Sequence, residues 1–307
     1  MKPRDILFGS DGKLRSGWRA AIFVAAFIFA LVLLGAIVFR LMSFAGFSRD
    51  ANPALFTVLG AAVPLAAAIL MGWLCGKYVE SLPFRALGAW FTTSWFKHLI
   101  FGIAIGAATV SLAIGIASVF GNLDFSFNVA DTNSILRTLF ISFIIFAVAA
   151  AFEEALFRGY ILQTFARSGL AWPAILLTSV FFGAVHLDNP GAGYLSSLNT
   201  ALAGIWFGVA YLKTRDLWLV WGLHLMWNWM QGSIFGVEVS GLTEFVQFPL
   251  LKETDSGPAW LTGENYGIEA SVACTFGLIV STVAIYLAPF LKPSDDMLNI
   301  LAADERR

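Results

Sequence analysis

Long apolar runs constrain this chain more than any other feature of its sequence. A helix that crosses the hydrocarbon core of a bilayer needs about 20 mainly apolar residues. Eight segments meet this requirement, with ends good to a few residues: Ala20–Phe39, Leu55–Gly76, Leu99–Gly121, Ile135–Phe157, Trp172–Leu187, Leu198–Leu212, Leu217–Gly236 and Ile268–Leu291. Charged residues are only 13% of the 307 residues, against about 25% in soluble proteins. The sequence therefore predicts an all-α, polytopic membrane protein with about eight transmembrane helices, and one integral membrane domain over residues 1–307.

The positions of Lys and Arg predict how these helices are oriented, because basic residues favour the cytoplasmic side of a membrane. If the N-terminus is cytoplasmic and the spans alternate, all but four of the 19 Lys and Arg residues face the cytoplasm; the exceptions are Arg40, Arg49, Arg137 and Lys252. Both termini are then cytoplasmic. The longest loop on the opposite side, Val237–Gly267, is acidic, and we interpret it as a solvated cap, with a gate over a site as the alternative.

The predicted spans contain few ionisable residues, and these few are candidates for function. Inserting an ionisable side chain into a membrane costs at least ~2.5–3.5 kcal/mol, so such a residue is rarely there without a role. The candidates are Glu153, Glu154 and Arg158 in the fourth span, His186 in the fifth, and His224 with Asn228 in the seventh. The third histidine, His98, lies beside Lys97 at the edge of a span, so we expect it to be interfacial.

Helical spacing assigns different positions to these side chains. Glu154 and Arg158 are four residues apart, so they share a helix face and can form an ion pair. Glu153 points roughly 100° away from Glu154, which leaves its carboxylate free to act as a general base. His224 and Asn228 are also four residues apart, so they present two polar groups to one point.

The depth of two candidates in the membrane can also be compared. If the fourth helix continues through Gly159–Ala166, Glu153 and His186 both lie roughly 22–27 Å from the turn that joins their helices. The two side chains can therefore face each other.

The three motifs together resemble the CPBP family of intramembrane proteases. These motifs are Glu-Glu-x-x-x-Arg, then Phe-x-x-x-His, then His-x-x-x-Asn. They lie in this order on the fourth, fifth and seventh predicted spans, within residues 135–231. The family includes the CAAX proteases and bacteriocin-processing enzymes formerly called the abortive-infection family. The resemblance implies an endopeptidase that cleaves peptide or lipidated, CAAX-like protein substrates, with 135–231 as its catalytic core. It implies that Glu153 and His186 activate water, that His224 and Asn228 stabilise the oxyanion, and that Glu154 and Arg158 orient the site.

The resemblance leaves two mechanisms open. The family is described both as glutamic endopeptidases and as metalloproteases, and Glu153, His186 and His224 together could hold a zinc ion with an open position for water. The zinc-protease spacing His-Glu-x-x-His is absent from the sequence. We therefore favour the glutamate mechanism, which requires no cofactor.

Two other classes of function remain as alternatives. Buried carboxylates and histidines also occur in transporters and proton relays, although no internal repeat is visible here. A non-catalytic scaffold or bacteriocin-immunity protein could retain the same motifs. The expected partners are membrane lipid and a peptide or lipidated protein. No nucleic-acid partner is expected, because the net charge is only −1.

Overall fold

The computed structural model describes residues 6–9 and 12–305, and most of the described chain is helical. Its elements in chain order are α1 (Ser16–Phe44), α2 (Pro53–Val79), α3 (Trp95–Gly121), β1 (Leu123–Phe127), α4 (Thr132–Arg167), α5 (Ala171–Ala184), α6 (Tyr194–Thr214), α7 (Leu217–Trp229), β2 (Leu251–Asp255), α8 (Ala259–Thr262), α9 (Val272–Leu287) and α10 (Asp295–Glu305). Four basic residues that enter the orientation prediction lie outside the described residues: Lys2, Arg4, Arg306 and Arg307.

Five helices of the described chain, α1, α2, α3, α4 and α6, are long and apolar enough to cross a membrane. The protein is therefore an integral membrane protein. Helices α5 and α9 are apolar but shorter, and α7 has 13 residues before it continues as a π-helical turn, Met230–Ile234. The predicted fifth span, Trp172–Leu187, is longer than α5, because the chain leaves the helix after Ala184. The count of eight spans and the orientation of the termini stay predictions.

A small antiparallel sheet departs from the all-α prediction. Strand β1 follows α3 almost directly and pairs with β2, with Leu123 opposite Asp255 and Phe127 opposite Leu251. Strand β2 belongs to the acidic loop Val237–Gly267, which is distant from β1 in the sequence. No local pattern indicates this pairing. The sheet attaches the acidic loop to the connection between α3 and α4.

Helix α4 carries the first motif and runs without interruption to Arg167. The comparison of the depths of Glu153 and His186 assumes that the helix continues through Gly159–Ala166, and α4 meets this condition. Residues Ala155–Leu162 form a π-helical stretch directly after the two glutamates. Such stretches are rare and often occur at functional sites, because the wider turn changes which side chains share a face.

Glycines bring α3 and α7 into close contact. A methyl group added at Gly222 of α7 would lie 2.7 Å from the carbonyl oxygen of Leu99, and one added at Gly106 of α3 would lie 2.5 Å from that of Leu223. Any side chain at these positions would push the helices apart. Because His224 follows Gly222 by two residues, this contact sets the position of the third motif.

Helices α1 and α2 pack closely on the rest of the bundle through one half only. The buried residues of α1 lie between Ser16 and Ala30, and those of α2 lie between Ala67 and Gly76. The remaining halves, residues 31–44 and 53–66, are partly or fully exposed. Since the chain is a membrane protein, these halves face lipid or the space beside the three motifs.

His98, which the sequence places at the edge of a span, is buried against another helix. Its side chain is 2% exposed, and its Nδ1 bonds to the buried carboxylate of Asp216. Asp216 also accepts hydrogen bonds from the backbone N–H groups of Trp218 and Leu219, so it caps the N-terminus of α7. The contact follows from the packing of α3 against α7, which the neighbouring Lys97 does not reveal.

Candidate active site

One cavity of about 280 Å³ is lined by Glu153, His186, His224 and Asn228. Helix α4 supplies the glutamate, the turn after α5 supplies His186, and α7 supplies the other two. Phe207 of α6 completes this part of the wall. The structure therefore brings together the four side chains that the resemblance assigns to catalysis.

Glu154 and Arg158 form the ion pair that their spacing predicts. Both residues are fully buried, and Arg158 Nη1 donates to Glu154 Oε1 at 3.0 Å. Nη2 of the same guanidinium donates to the carbonyl oxygen of Gly204 at 3.1 Å. Its central carbon lies 4.9 Å from the ring centre of Phe182. Such full burial requires a partner for each charge, and the pair supplies one.

The Glu154 carboxylate also holds His224. Its Oε1 lies 2.8 Å from Nδ1 of His224, so one oxygen joins the arginine to the imidazole. The His224 ring stacks on Phe207, with ring centres 4.6 Å apart and planes 21° from parallel. The hydrogen bond and the stacking together fix the orientation of the ring and direct Nε2 away from Glu154.

Glu153 is placed differently from its neighbour. The side chain is 24% exposed, and its Oε2 lies 3.8 Å from Nε2 of His224 without a hydrogen-bond partner among the described residues. Glu154 lines a second, apolar cavity of about 300 Å³ together with Trp218 and Trp221. The two adjacent glutamates thus border different cavities, as the angle between consecutive helical residues predicts.

His186 lies just beyond the end of α5, in a turn. Its Nδ1 lies 2.7 Å from the carbonyl oxygen of Phe182. A carbonyl oxygen can only accept a hydrogen bond, so Nδ1 must carry the proton. In the neutral ring, Nε2 is then left with a lone pair that can accept a proton from water.

The described side chains are not arranged as a metal site. No group of three His, Cys, Asp or Glu residues within the described ranges is placed to hold a metal ion. Nε2 of His224 and Oε2 of Glu153 are 3.8 Å apart, and two atoms bound to one tetrahedral zinc ion at about 2.0–2.2 Å lie roughly 3.3–3.6 Å apart, so these two atoms are near the spacing of zinc ligands. No third ligand stands at that spacing among the described residues, and the zinc ligand set Glu153, His186 and His224 stays the alternative to the glutamate mechanism.

Sequence reasoning missed a further carboxylate at the cavity. Glu269 lines it with two amides, Asn189 and Asn199. Glu269 accepts hydrogen bonds from Nε1 of Trp227 at 3.0 Å and from Oγ of Ser240 at 2.7 Å. The residue falls inside the predicted last span, Ile268–Leu291, so the rule that selected Glu153 would also have selected it.

Part of the chain matches the model of a known protein family. Residues 134–230 match the family model described as Rce1-like, type II CAAX prenyl endopeptidase. The match confirms the resemblance to the CAAX proteases, and the matched segment contains all six predicted site residues. A search of curated proteins gave no match.

Proposed function

We propose that the protein is an intramembrane endopeptidase that hydrolyses peptide bonds in membrane-associated or lipidated, CAAX-like substrates. The observation that carries the proposal is the position of Glu153. Its carboxylate has no ion-pair partner among lysines and arginines of the described chain and lies at the cavity that also contains His186, His224 and Asn228. On the same helix turn, the Glu154 carboxylate is bonded to Arg158 and His224, whereas Oε2 of Glu153 has no hydrogen-bond partner among the described residues.

In the proposed reaction, Glu153 and His186 activate water. Glu153 takes a proton from a water molecule in the cavity, and the oxygen attacks the carbonyl carbon of the scissile peptide bond. His186 accepts a hydrogen bond from the same water through Nε2, because Nδ1 is committed to Phe182. A base positioned within hydrogen-bond reach of its proton contributes about 10²–10⁴-fold to a rate. Glu153 then returns the proton to the amine that leaves.

His224 and Asn228 stabilise the oxyanion of the tetrahedral intermediate in this proposal. Nδ1 of His224 is held by the Glu154 carboxylate, and a proton on Nε2 makes this atom a donor that faces the cavity. The Asn228 amide lies one helical turn further along α7 and lines the same cavity. Donors that are already aimed at a developing negative charge need no rearrangement during the reaction, which makes them effective.

Glu154 and Arg158 act as positioning residues. They do not line the cavity that contains Glu153. Glu154 fixes the orientation of His224, and Arg158 fixes Glu154 while bonding to Gly204 on α6. The arrangement joins α4, α6 and α7, so it determines where the general base stands relative to the oxyanion donors.

The lining of the cavity supports a membrane-associated substrate. Many of its residues are apolar, and Thr57, Gly60 and Ala61 come from the loosely packed half of α2. A methyl group added at Gly60 would meet no other atom within 4 Å. An apolar or lipidated segment can therefore reach the cavity from the lipid beside α2. A proton relay fits less well, because the polar groups converge on one cavity.

Cleavage of a lipidated peptide tests the proposal. Purified protein in lipid nanodiscs is mixed with a peptide that ends in farnesylated Cys and three further residues, and the released tripeptide is measured by mass spectrometry. We expect Glu153→Gln to lower the rate at least 10²-fold. Glu244→Gln, the same change on the exposed acidic loop, should leave the rate unchanged. Equal rates for the wild type and Glu153→Gln contradict the proposal.

A further inference from the structure

Glu269 is the centre of a hydrogen-bond network at the cavity wall. It lies in the short turn Ile268–Ala270, before α9. One carboxylate oxygen accepts from Nε1 of Trp227 at 3.0 Å, and the other accepts from the backbone N–H of Ser240 at 2.6 Å and from its Oγ at 2.7 Å. Three donors from two separate segments thus converge on a single side chain.

One branch of the network leads to His186. The carbonyl oxygen of Ser240 accepts from Nδ2 of Asn189 at 3.1 Å. The backbone N–H of Asn189 in turn donates to the carbonyl oxygen of His186 at 3.2 Å. His186 has left α5 and lacks the support of a continuing helix, so the fixed position of its turn depends on contacts of this kind.

The other branch leads to α7. Trp227 precedes Asn228 in the sequence, lines the same cavity, and packs against Trp206 with ring centres 6.0 Å apart. Its bond to Glu269 attaches this turn of α7, which also carries Asn228, to the segment before α9.

The backbone around Glu269 is itself fixed. Asn199 of α6 donates through Nδ2 to the carbonyl oxygens of Glu269 and Ser271, both at 2.8 Å, and its Oδ1 accepts from Thr275 at 2.6 Å. Ser240 has a φ of 51°, a left-handed conformation that is unfavourable for a residue with a side chain. Residues in such conformations persist where surrounding bonds hold them, and the carboxylate of Glu269 supplies two of these bonds.

The network requires a carboxylate at position 269. Both of its oxygens act as acceptors, whereas a glutamine of the same shape has one oxygen and one NH₂ group. In Glu269→Gln, the NH₂ group would face either the indole N–H of Trp227 or the backbone N–H of Ser240, and neither of these can accept a hydrogen bond. The isosteric substitution should therefore break the network on one side without creating a cavity.

We propose that Glu269 is a positioning residue of the active site, which holds the turn of His186 and the α7 turn of Asn228 at their working separation. This inference rests on the proposed endopeptidase function. Glu269 touches neither the water nor the scissile bond in this proposal; it acts through Ser240, Asn189 and Trp227.

Kinetics of Glu269→Gln test the inference. Using the farnesylated peptide in nanodiscs, we expect kcat to fall about 10–100-fold. This is the range found when residues that orient the ligands of a metal site are substituted. KM should change much less, because substrate binding is not altered. Glu264→Gln, an exposed glutamate in the same segment, is the matched control and should keep wild-type kcat. A wild-type kcat for Glu269→Gln overturns the inference, as does a loss that appears only in KM.

Hydrogen exchange provides a test that does not depend on cleavage. Peptides that cover residues 186–193 and 237–246 should exchange faster in Glu269→Gln than in the wild type, and those from α3 should not change. Unchanged exchange in both peptides rejects the network as a positioning device. Glu153→Gln should abolish cleavage but leave exchange unaltered, so failure of the proposed function and failure of this inference give different results. If Glu269→Gln does not fold, Ser240→Gly, which removes one bond and suits the left-handed backbone, replaces it in both measurements.

Discussion

At the scale of single residues, two adjacent glutamates have opposite surroundings. Glu154 is fully buried between Arg158 and His224, whereas Glu153 faces the cavity with an unbonded oxygen. Helical spacing alone predicted the Glu154–Arg158 pair and the different direction of Glu153. It did not predict the contact between Glu154 and His224, because that contact depends on how α4 and α7 pack.

The glutamate mechanism predicts that activity does not depend on a metal. Dialysis of the purified protein against a strong chelator should leave the cleavage rate unchanged, since no step of this mechanism uses an ion. Elemental analysis of the same sample accompanies the rate measurement. Stoichiometric zinc, with activity that is lost on chelation and restored by added zinc, refutes this mechanism.

A carboxyl group on β2 should make stability depend on pH. Burial raises the pKa of Glu253 from its usual 4.5 to about 8, together with the nearby carboxyl groups of Glu238 and Asp255. The folded state therefore retains a proton that the unfolded state releases. The resulting stabilisation is complete below about pH 4.5 and is lost as the pH rises towards 8. Thermal unfolding from pH 5 to 9 should show a smaller decline in Glu253→Gln than in the wild type. Identical slopes contradict the assignment.

At the scale of secondary-structure elements, hydropathy predicted the long helices well and the short ones poorly. Helix α5 ends at Ala184, before the predicted limit of Leu187, because the chain continues in turns; hydropathy does not distinguish Val185 and Leu187 in a turn from the same residues in a helix. The pairing of β1 with β2 joins distant segments, which no local pattern reports. The close contact of α3 with α7 was likewise not predicted, since a glycine in an apolar helix does not by itself indicate a contact with another helix.

The glycine contact yields a prediction for α7. Gly222→Ala places a methyl group 2.7 Å from the carbonyl oxygen of Leu99, so α7 must shift and carry His224 with it. We expect a loss of about 1–3 kcal/mol in stability, typical of overpacking, and a lower cleavage rate. Gly115→Ala on α3, where a methyl group meets no atom within 4 Å, is the control. Equal melting temperatures for the two variants would show that the contact is not tight.

At the scale of the whole molecule, the acidic loop lies close to the cavity. Val239, Ser240, Leu242 and Phe245 line it, and β2 attaches the loop to the rest of the chain. The sequence predicted a cap or a gate on the side opposite the cytoplasm. The loop covers part of the cavity that contains the candidate catalytic residues, a relation that depends on the tertiary fold and is not visible in the loop's composition.

The orientation of the bundle can be tested by labelling introduced cysteines. Cys75 and Cys274 are both buried, so the native thiols contribute little background. An impermeant maleimide added to intact cells should label Ser256→Cys on the acidic loop. It should label Asn299→Cys on α10 only after the membrane is permeabilised. The reverse pattern contradicts the prediction from the Lys and Arg positions.

Proteomics of membranes gives the most direct test of the central claim that Glu153 drives hydrolysis of a membrane-associated substrate. Membranes of cells that express the wild type or Glu153→Gln at equal levels are compared for newly formed protein termini. We expect a set of termini, in membrane proteins or lipidated proteins, that is present with the wild type and missing with Glu153→Gln. Identical sets of termini in the two samples would contradict it.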